Sequence, residues 1–122
     1  MHVSIRLGSL RALSWPAVPL VIVDAENVRR SLWPNLPREQ LVARARAWAA
    51  REGHDLLVVF DGSAPEGAPD LVGSRYADDE IVRLADEANG PVWVVTSDRE
   101  LRARLSGRVD RLVGGGTFAK GL

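Results

Sequence analysis

Apolar residues fall into three short unbroken runs: Val21-Ile22-Val23, Leu56-Leu57-Val58-Val59-Phe60 and Val92-Trp93-Val94-Val95. Runs without polar alternation suit strands buried on both faces, as in a parallel sheet. Between them the period changes. From Arg38 to Glu52, Leu41, Val42, Ala45, Trp48 and Ala49 recur at helical spacing, and Arg44, Arg46 and Arg51 fall largely outside that stripe. Gly53 is a natural stop. Tyr76–Ala88 predicts a second helix with Ile81, Leu84 and Ala85 inward, ended by Asn89-Gly90-Pro91. Asp98–Leu105 predicts a third, capped by Ser97 or Asp98.

Weaker patterns complete the chain. Val109–Val113 suits a fourth strand. Ala25–Pro37 reads as a loop or short turn, because Pro34 and Pro37 limit helix before each. Gly62–Gly73, with three Gly and two Pro, reads as a mobile loop, and Gly114-Gly115-Gly116 as the lead into a short tail. Residues 1–19 have no clear period and read as an N-terminal arm or leader, ordered at most in part; 20–122 form the globular domain. Strand–helix alternation implies right-handed βαβ units and an α/β fold around a mainly parallel sheet.

Composition narrows the chemistry. With no cysteine among 122 residues, disulfides, zinc–thiolate sites and thiol catalysis are excluded. Hydrophobic content of 46% builds a core without staples. Sixteen basic and 16 acidic residues cancel, so bulk charge does not announce a nucleic-acid partner; the placement of charges has to decide. Lys120 is the single lysine, so the basic side chains are otherwise arginines. Arg6 and Arg11 before an apolar stretch loosely imitate a signal peptide, but Pro16 and Pro19 interrupt it and no small-residue cleavage site follows. No run reaches the length of a membrane span. A cytoplasmic protein without a membrane partner is the expectation.

The strand ends carry the candidate chemistry. Each apolar run stops at an acid: Asp24, Asp61 and, after Thr96-Ser97, Asp98. Open α/β sheets place their sites at the carboxyl ends of strands, so these acids are expected in one cleft. Clustered carboxylates repel unless a positive charge sits between them, and a divalent metal is the simplest such charge. Asp78-Asp79-Glu80 opens the second helix, with Asp78 three residues before Ile81 on its inward-leaning face. Each acid also has a bland explanation: turn residue, helix cap or favourable partner of a helix dipole. Asn27 could orient the Asp24 carboxylate or simply close an Asx turn. Arg29, Arg30, Arg75, Arg99 and Arg102 lie near these acids in sequence and could hold a polyanion, or be solvated surface. Trp33 suits either base stacking or packing beside its proline, and His54, just before a strand, reads as structural.

Four segments together resemble a known family: Val21-Ile22-Val23-Asp24-Ala25-Glu26-Asn27, Val58-Val59-Phe60-Asp61-Gly62, Ala77-Asp78-Asp79-Glu80-Ile81 and Val94-Val95-Thr96-Ser97-Asp98-Arg99-Glu100-Leu101. Their order and spacing resemble the NYN domain of the PIN-like superfamily, nearest its bacterial YacP-like branch, over roughly residues 20–118. The tail Val113-Gly114-Gly115-Gly116-Thr117-Phe118 is similar to that branch's ending. The resemblance implies a PIN-like three-layer α/β/α sandwich and a ribonuclease dependent on Mg²⁺ or Mn²⁺, with endonucleolytic cutting the favoured mode. By position, Asp24, Asp78 and Asp98 match the acidic core, and Asn27 the asparagine of the first motif. Ser97 matches the hydroxyl before the last Asp, in a substrate-contacting role shared with Arg29, Arg30 and Arg99. Two departures stand out. Ala25-Glu26 replaces the usual Gly-containing pair, and Arg75-Tyr76-Ala77 stands where a Glu-Thr is common. The second leaves a fourth ligand open between Asp61, Asp79 and Glu80, or to a second metal that arrives with substrate.

Three other readings remain open on the sequence. One is an RNA- or partner-binding module without catalysis. Another is a PIN-like toxin of a toxin–antitoxin pair. A phosphoacceptor domain also gathers acids at strand ends, but it needs a lysine at a later strand end, and Lys120 lies in the tail. RNA is the expected partner of the favoured reading, delivered by itself or by a ribosome or other protein.

Overall fold

A computed structural model of the chain describes residues 18–122. Strands β1 (Leu20–Asp24), β2 (Asp55–Asp61), β3 (Leu71–Ser74), β4 (Val92–Val95) and β5 (Arg111–Val113) form one sheet. Its order is β3-β2-β1-β4-β5, and every pairing is parallel. The helices are α1 (Ala25–Arg30), α2 (Arg38–Glu52), α3 (Ala77–Glu87), α4 (Arg99–Leu105) and α5 (Gly115–Lys120).

The helices cover both faces, giving three layers. On one side Val21, Val23, Val58, Phe60 and Val95 pack with Val28 of α1, Leu41 and Ala45 of α2, and Phe118 of α5. On the other, Ile22, Val59 and Val94 meet Ile81 and Ala85 of α3 and Leu101 and Leu105 of α4. Successive strand residues point to opposite faces, and here both faces are dry. That is the physical reason the central strands read as continuous apolar runs.

Three segments differ from the sequence expectation. Ala25–Arg30 is a short helix, not a turn; Ala25 and Val28 are fully buried, so tertiary packing stabilises a segment too short to be helical alone. Within the expected mobile loop, Leu71–Ser74 is an edge strand paired with β2. The loop before it is tied down: Arg46 grips Asp70 through two bonds of 2.7 and 2.8 Å. Gly73 lets Gly62–Ala64 cross closely, since a Cβ there would stand 2.5 Å from the Gly62 carbonyl oxygen. The expected tail contains α5, whose Phe118 and Ala119 are buried. Phe118 meets Trp48 edge-on at 4.9 Å between centroids. Elsewhere the predicted boundaries shift by one or two residues, as helix and strand ends commonly do. Of the predicted arm, only Val18 and Pro19 are described; the Pro19 carbonyl accepts from the Asp55 amide at 3.0 Å. The rest of it lies outside the described residues. Among those residues no helix is long and apolar enough to cross a membrane.

Candidate active site

Strand order reverses between β1 and β4: the chain runs outward through β2 and β3, then returns to lay β4 and β5 on the other side of β1. Sites in open α/β sheets form at such a switch point, outside the carboxyl ends of the strands. Asp24 ends β1 there and is only 7% exposed, and Thr96 follows β4 fully buried. The Thr96 hydroxyl donates to Asp24 Oδ2 at 2.8 Å and accepts from the Asp98 amide at 3.1 Å. One side chain thus holds two acid-bearing segments together. Asp98 also caps α4, its Oδ1 accepting from the Leu101 amide at 2.9 Å. Asp24 makes no such cap for α1, so the simplest bland explanation of it fails.

Asn27 and Ser97 form a second tie. Asn27 Oδ1 accepts from the Ser97 amide at 2.8 Å, and Ser97 Oγ accepts from the Gly115 amide at 2.7 Å. This joins α1, the loop after β4 and the start of α5. A Cβ on Gly115 would overlap Asn27 Oδ1, so a larger residue there would push that amide aside.

These elements border a cleft of about 710 Å³. Asp24, Asp61, Asp78, Asp79 and Asp98 all line it, with Asn27 and Ser97 beside them. Arg30, Arg75 and Arg104 border the same space. The sheet brings Asp61 in from β2, and the first turn of α3 brings Asp78 and Asp79.

The acids share one electrostatic neighbourhood. Burial pushes the Asp24 carboxyl up to about 6; the Thr96 hydrogen bond opposes this, and the charges of Asp78, Asp61 and Asp98 add to it. Asp78 is also raised, first by burial and then by Asp98 and Asp61, against the opposing pull of Arg104. Burial is the larger cause for both groups, and like charge from the neighbouring carboxylates adds to it.

Not every candidate reaches the cleft. Arg29 pairs with Glu26, and its Nε donates to the Leu36 carbonyl at 2.9 Å. Neither Arg29 nor Arg99 borders the cleft. Arg102 donates to the Thr96 carbonyl at 2.8 Å, so it braces the loop. Glu80 is engaged by Arg83 outside the cleft, and Asp79 is bridged by Arg104 at 2.9 Å. Asp61 is therefore the better-placed fourth acid. Trp33 is 88% exposed and outside the lining, so the packing alternative for it fails. His54 lies between Trp48 and Trp93 in tilted and edge-on contacts, at 5.3 and 4.8 Å between ring centroids, and outside the cleft lining. Thr96, Arg104 and Gly115 escaped the sequence reading as site residues. Nothing local distinguishes them, since each matters through a partner distant in sequence.

The donor set is all hard oxygen, which suits Mg²⁺ or Mn²⁺. The electrostatic surplus also fits a cation. Among the described residues, however, no three acidic or imidazole side chains are already gathered into a metal-holding group. Asp24 is turned to Thr96 and Asp98 to its cap.

The three-layer fold with an all-parallel five-stranded sheet is similar to that of a single-substitution variant of Rae1 (YacP) from Bacillus subtilis. That crystal structure superposes with a TM-score of 0.72 at 19% identity, over 85% of this chain and 74% of the other. By sequence, the chain matches no family model and no curated protein.

Proposed function

We propose that this protein is a metal-dependent ribonuclease that hydrolyses RNA phosphodiester bonds endonucleolytically. The observation that carries the reading is the convergence of Asp24, Asp61, Asp78 and Asp98, from four separate segments, on one arginine-bordered cleft at the switch point of the sheet. The fold shared with YacP and the motif resemblance to the YacP-like branch of NYN domains point the same way.

Asp24, Asp78 and Asp98 would hold Mg²⁺ or Mn²⁺, with Asp61 as the fourth ligand. When bound, the cation lowers the pKa of a coordinated water and offsets charge on the leaving oxygen. The chain's own residues do the rest. Thr96 orients Asp24, and the Asn27–Ser97–Gly115 tie holds the loop that carries Thr96 and Asp98. Arg30, Arg75 and Arg104 border the cleft and would receive the phosphate backbone, where the guanidinium fork matches phosphate oxygens. A cytoplasmic protein acting alone or with a ribosome or protein partner fits this reading.

A second reading, an RNA-binding module without catalysis, is favoured by the lack of a preformed three-ligand group among the described residues. One experiment separates the two. Asp24→Asn, with its fold intact by circular dichroism, is expected to abolish Mn²⁺-stimulated cleavage of RNA. Undiminished cleavage removes the assignment, and a wild-type protein that binds RNA without turnover at saturating Mn²⁺ establishes the binding module.

A further inference from the structure

Among the described residues, three large apolar or aromatic side chains are markedly exposed: Leu32, Trp33 and Tyr76. Only Tyr76 borders the acidic cleft. It is 64% exposed, so most of the residue is open to solvent. Its backbone is nevertheless held. The Tyr76 amide donates to Ser74 Oγ at 3.1 Å, and its carbonyl accepts from the Glu80 amide at 3.0 Å in the first turn of α3. Ser74 is in register with Asp61 across the β2–β3 pairing, and Asp78 follows Tyr76 by two positions. The ring therefore stands on a fixed base between two of the cleft acids along the chain. The Arg75 guanidinium lies 5.7 Å from the ring centroid, within the range of a cation–π contact.

Resting on the nuclease reading above, we infer that Tyr76, flanked by Arg75, is a stacking platform for one unpaired nucleobase beside the phosphate held in the acidic cleft. An exposed aromatic ring stacks on any base, because every base has a π-face. The base must be free of its own neighbours and partner to lie on the ring, so the RNA is single-stranded at that nucleotide. Arg75 serves both parts of the nucleotide: it borders the cleft, where phosphate oxygens would lie, and it sits beside the ring. The larger purine faces are expected to be preferred over pyrimidines, a modest discrimination set by stacking strength rather than by base-edge hydrogen bonds. Exposure alone does not single out Tyr76, since Trp33 is more exposed still; its position at the cleft does.

The test reads binding and cleavage side by side. A fluorescently labelled short single-stranded RNA is titrated by anisotropy with Ca²⁺ as the added cation, and cleavage is followed separately with Mn²⁺. Tyr76→Ala is expected to weaken binding roughly 10- to 100-fold, the range of losing one stacked base. It should raise KM by a similar factor while kcat changes little. Tyr76→Phe should stay within about threefold of wild type, because it keeps the π-face. Abasic RNA, which has nothing to stack, should bind wild type more weakly than intact RNA by a similar factor, and that comparison does not depend on how well the alanine variant packs. Tyr76→Ala binding and cutting with wild-type constants overturns the platform and leaves the nuclease reading standing. A wild-type protein that neither binds nor cuts RNA overturns both.

Discussion

Thr96 Oγ1 and Asp24 Oδ2 lie 2.8 Å apart although 72 positions separate them in the chain. The bond joins the ends of the two central strands β1 and β4, and it is fully shielded from water on the threonine side. A buried carboxylate needs such a donor, because burial without one is costly. The same hydroxyl accepts from the Asp98 amide. Thr96 is thus the joint through which the position of one acid depends on the other.

Thr96→Val keeps the shape and removes the donor. The variant is expected to lose about 1–3 kcal/mol of stability, the cost of leaving a buried acceptor short of a partner. It should also push the Asp24 carboxyl further up, since that hydrogen bond is what holds it down. Chemical denaturation at neutral pH and the acid limb of the pH–cleavage profile check both effects. Thr96→Ser should restore them. Wild-type stability together with an unmoved acid limb would refute the joint.

Asp24 itself should cost the metal-free protein stability at neutral pH. Its carboxyl is raised from 3.8 to about 6 in the folded state. The folded protein therefore binds this proton more tightly than the unfolded chain. Stability from this group is greatest below pH 4, declines as pH rises towards 6, and is lowest above that. The cost above pH 6 is on the order of 3 kcal/mol. Asp24→Asn is expected to be more stable than wild type in EDTA at neutral pH, by an amount that shrinks to nothing on acidification. Denaturation curves across that range decide the matter; parallel pH dependences for the two proteins would contradict it.

The Asn27–Ser97–Gly115 tie predicts a sharp contrast between neighbouring glycines. Gly115→Ala would drive a methyl into Asn27 Oδ1, displacing the side chain that holds the Ser97 amide. Gly114→Ala meets nothing closer than 3.6 Å. The first is expected to destabilise the protein by about 1–3 kcal/mol, as overpacking does, and to suppress cleavage; the second should be close to wild type. Thermal melts and cleavage rates of the pair test this, and equal behaviour would show that the tie is dispensable.

Mn²⁺ or Mg²⁺ should raise the melting temperature if the cleft acids take a cation. At a hundred-fold excess over Kd the gain is about 2.7 kcal/mol. Asp78→Asn should reduce the shift by removing a donor, and EDTA should abolish it. Asp79→Asn should matter less, because Arg104 already engages that carboxylate. A melting temperature indifferent to either ion at millimolar excess would count against the cation.

Much of the architecture was legible in the residue pattern. The apolar runs at Val21–Val23, Leu56–Phe60 and Val92–Val95 become the three central strands, and the stripe Leu41, Val42, Ala45 and Ala49 becomes the buried face of α2. What was not legible has a common cause. Helix Ala25–Arg30 and strand Leu71–Ser74 are too short to carry a period, and they exist because Val28 is buried by the fold and because β2 offers an edge for pairing. The segment around Phe118 read only as a short tail because its glycines hide a helix that packing, not propensity, sustains.

The sequence by itself determined which positions carry acids and that each strand would deliver its acid at the same end of a parallel sheet, because side-chain identity and periodicity are local properties. Only the tertiary structure decided which charges meet. It brought Asp24, Asp61, Asp78 and Asp98 to one cleft, turned Arg29 away to Glu26, brought in Arg104, and set Thr96 beneath Asp24. Those outcomes depend on contacts between residues tens of positions apart, whose distances are set by strand order and packing and leave no mark in the neighbouring sequence.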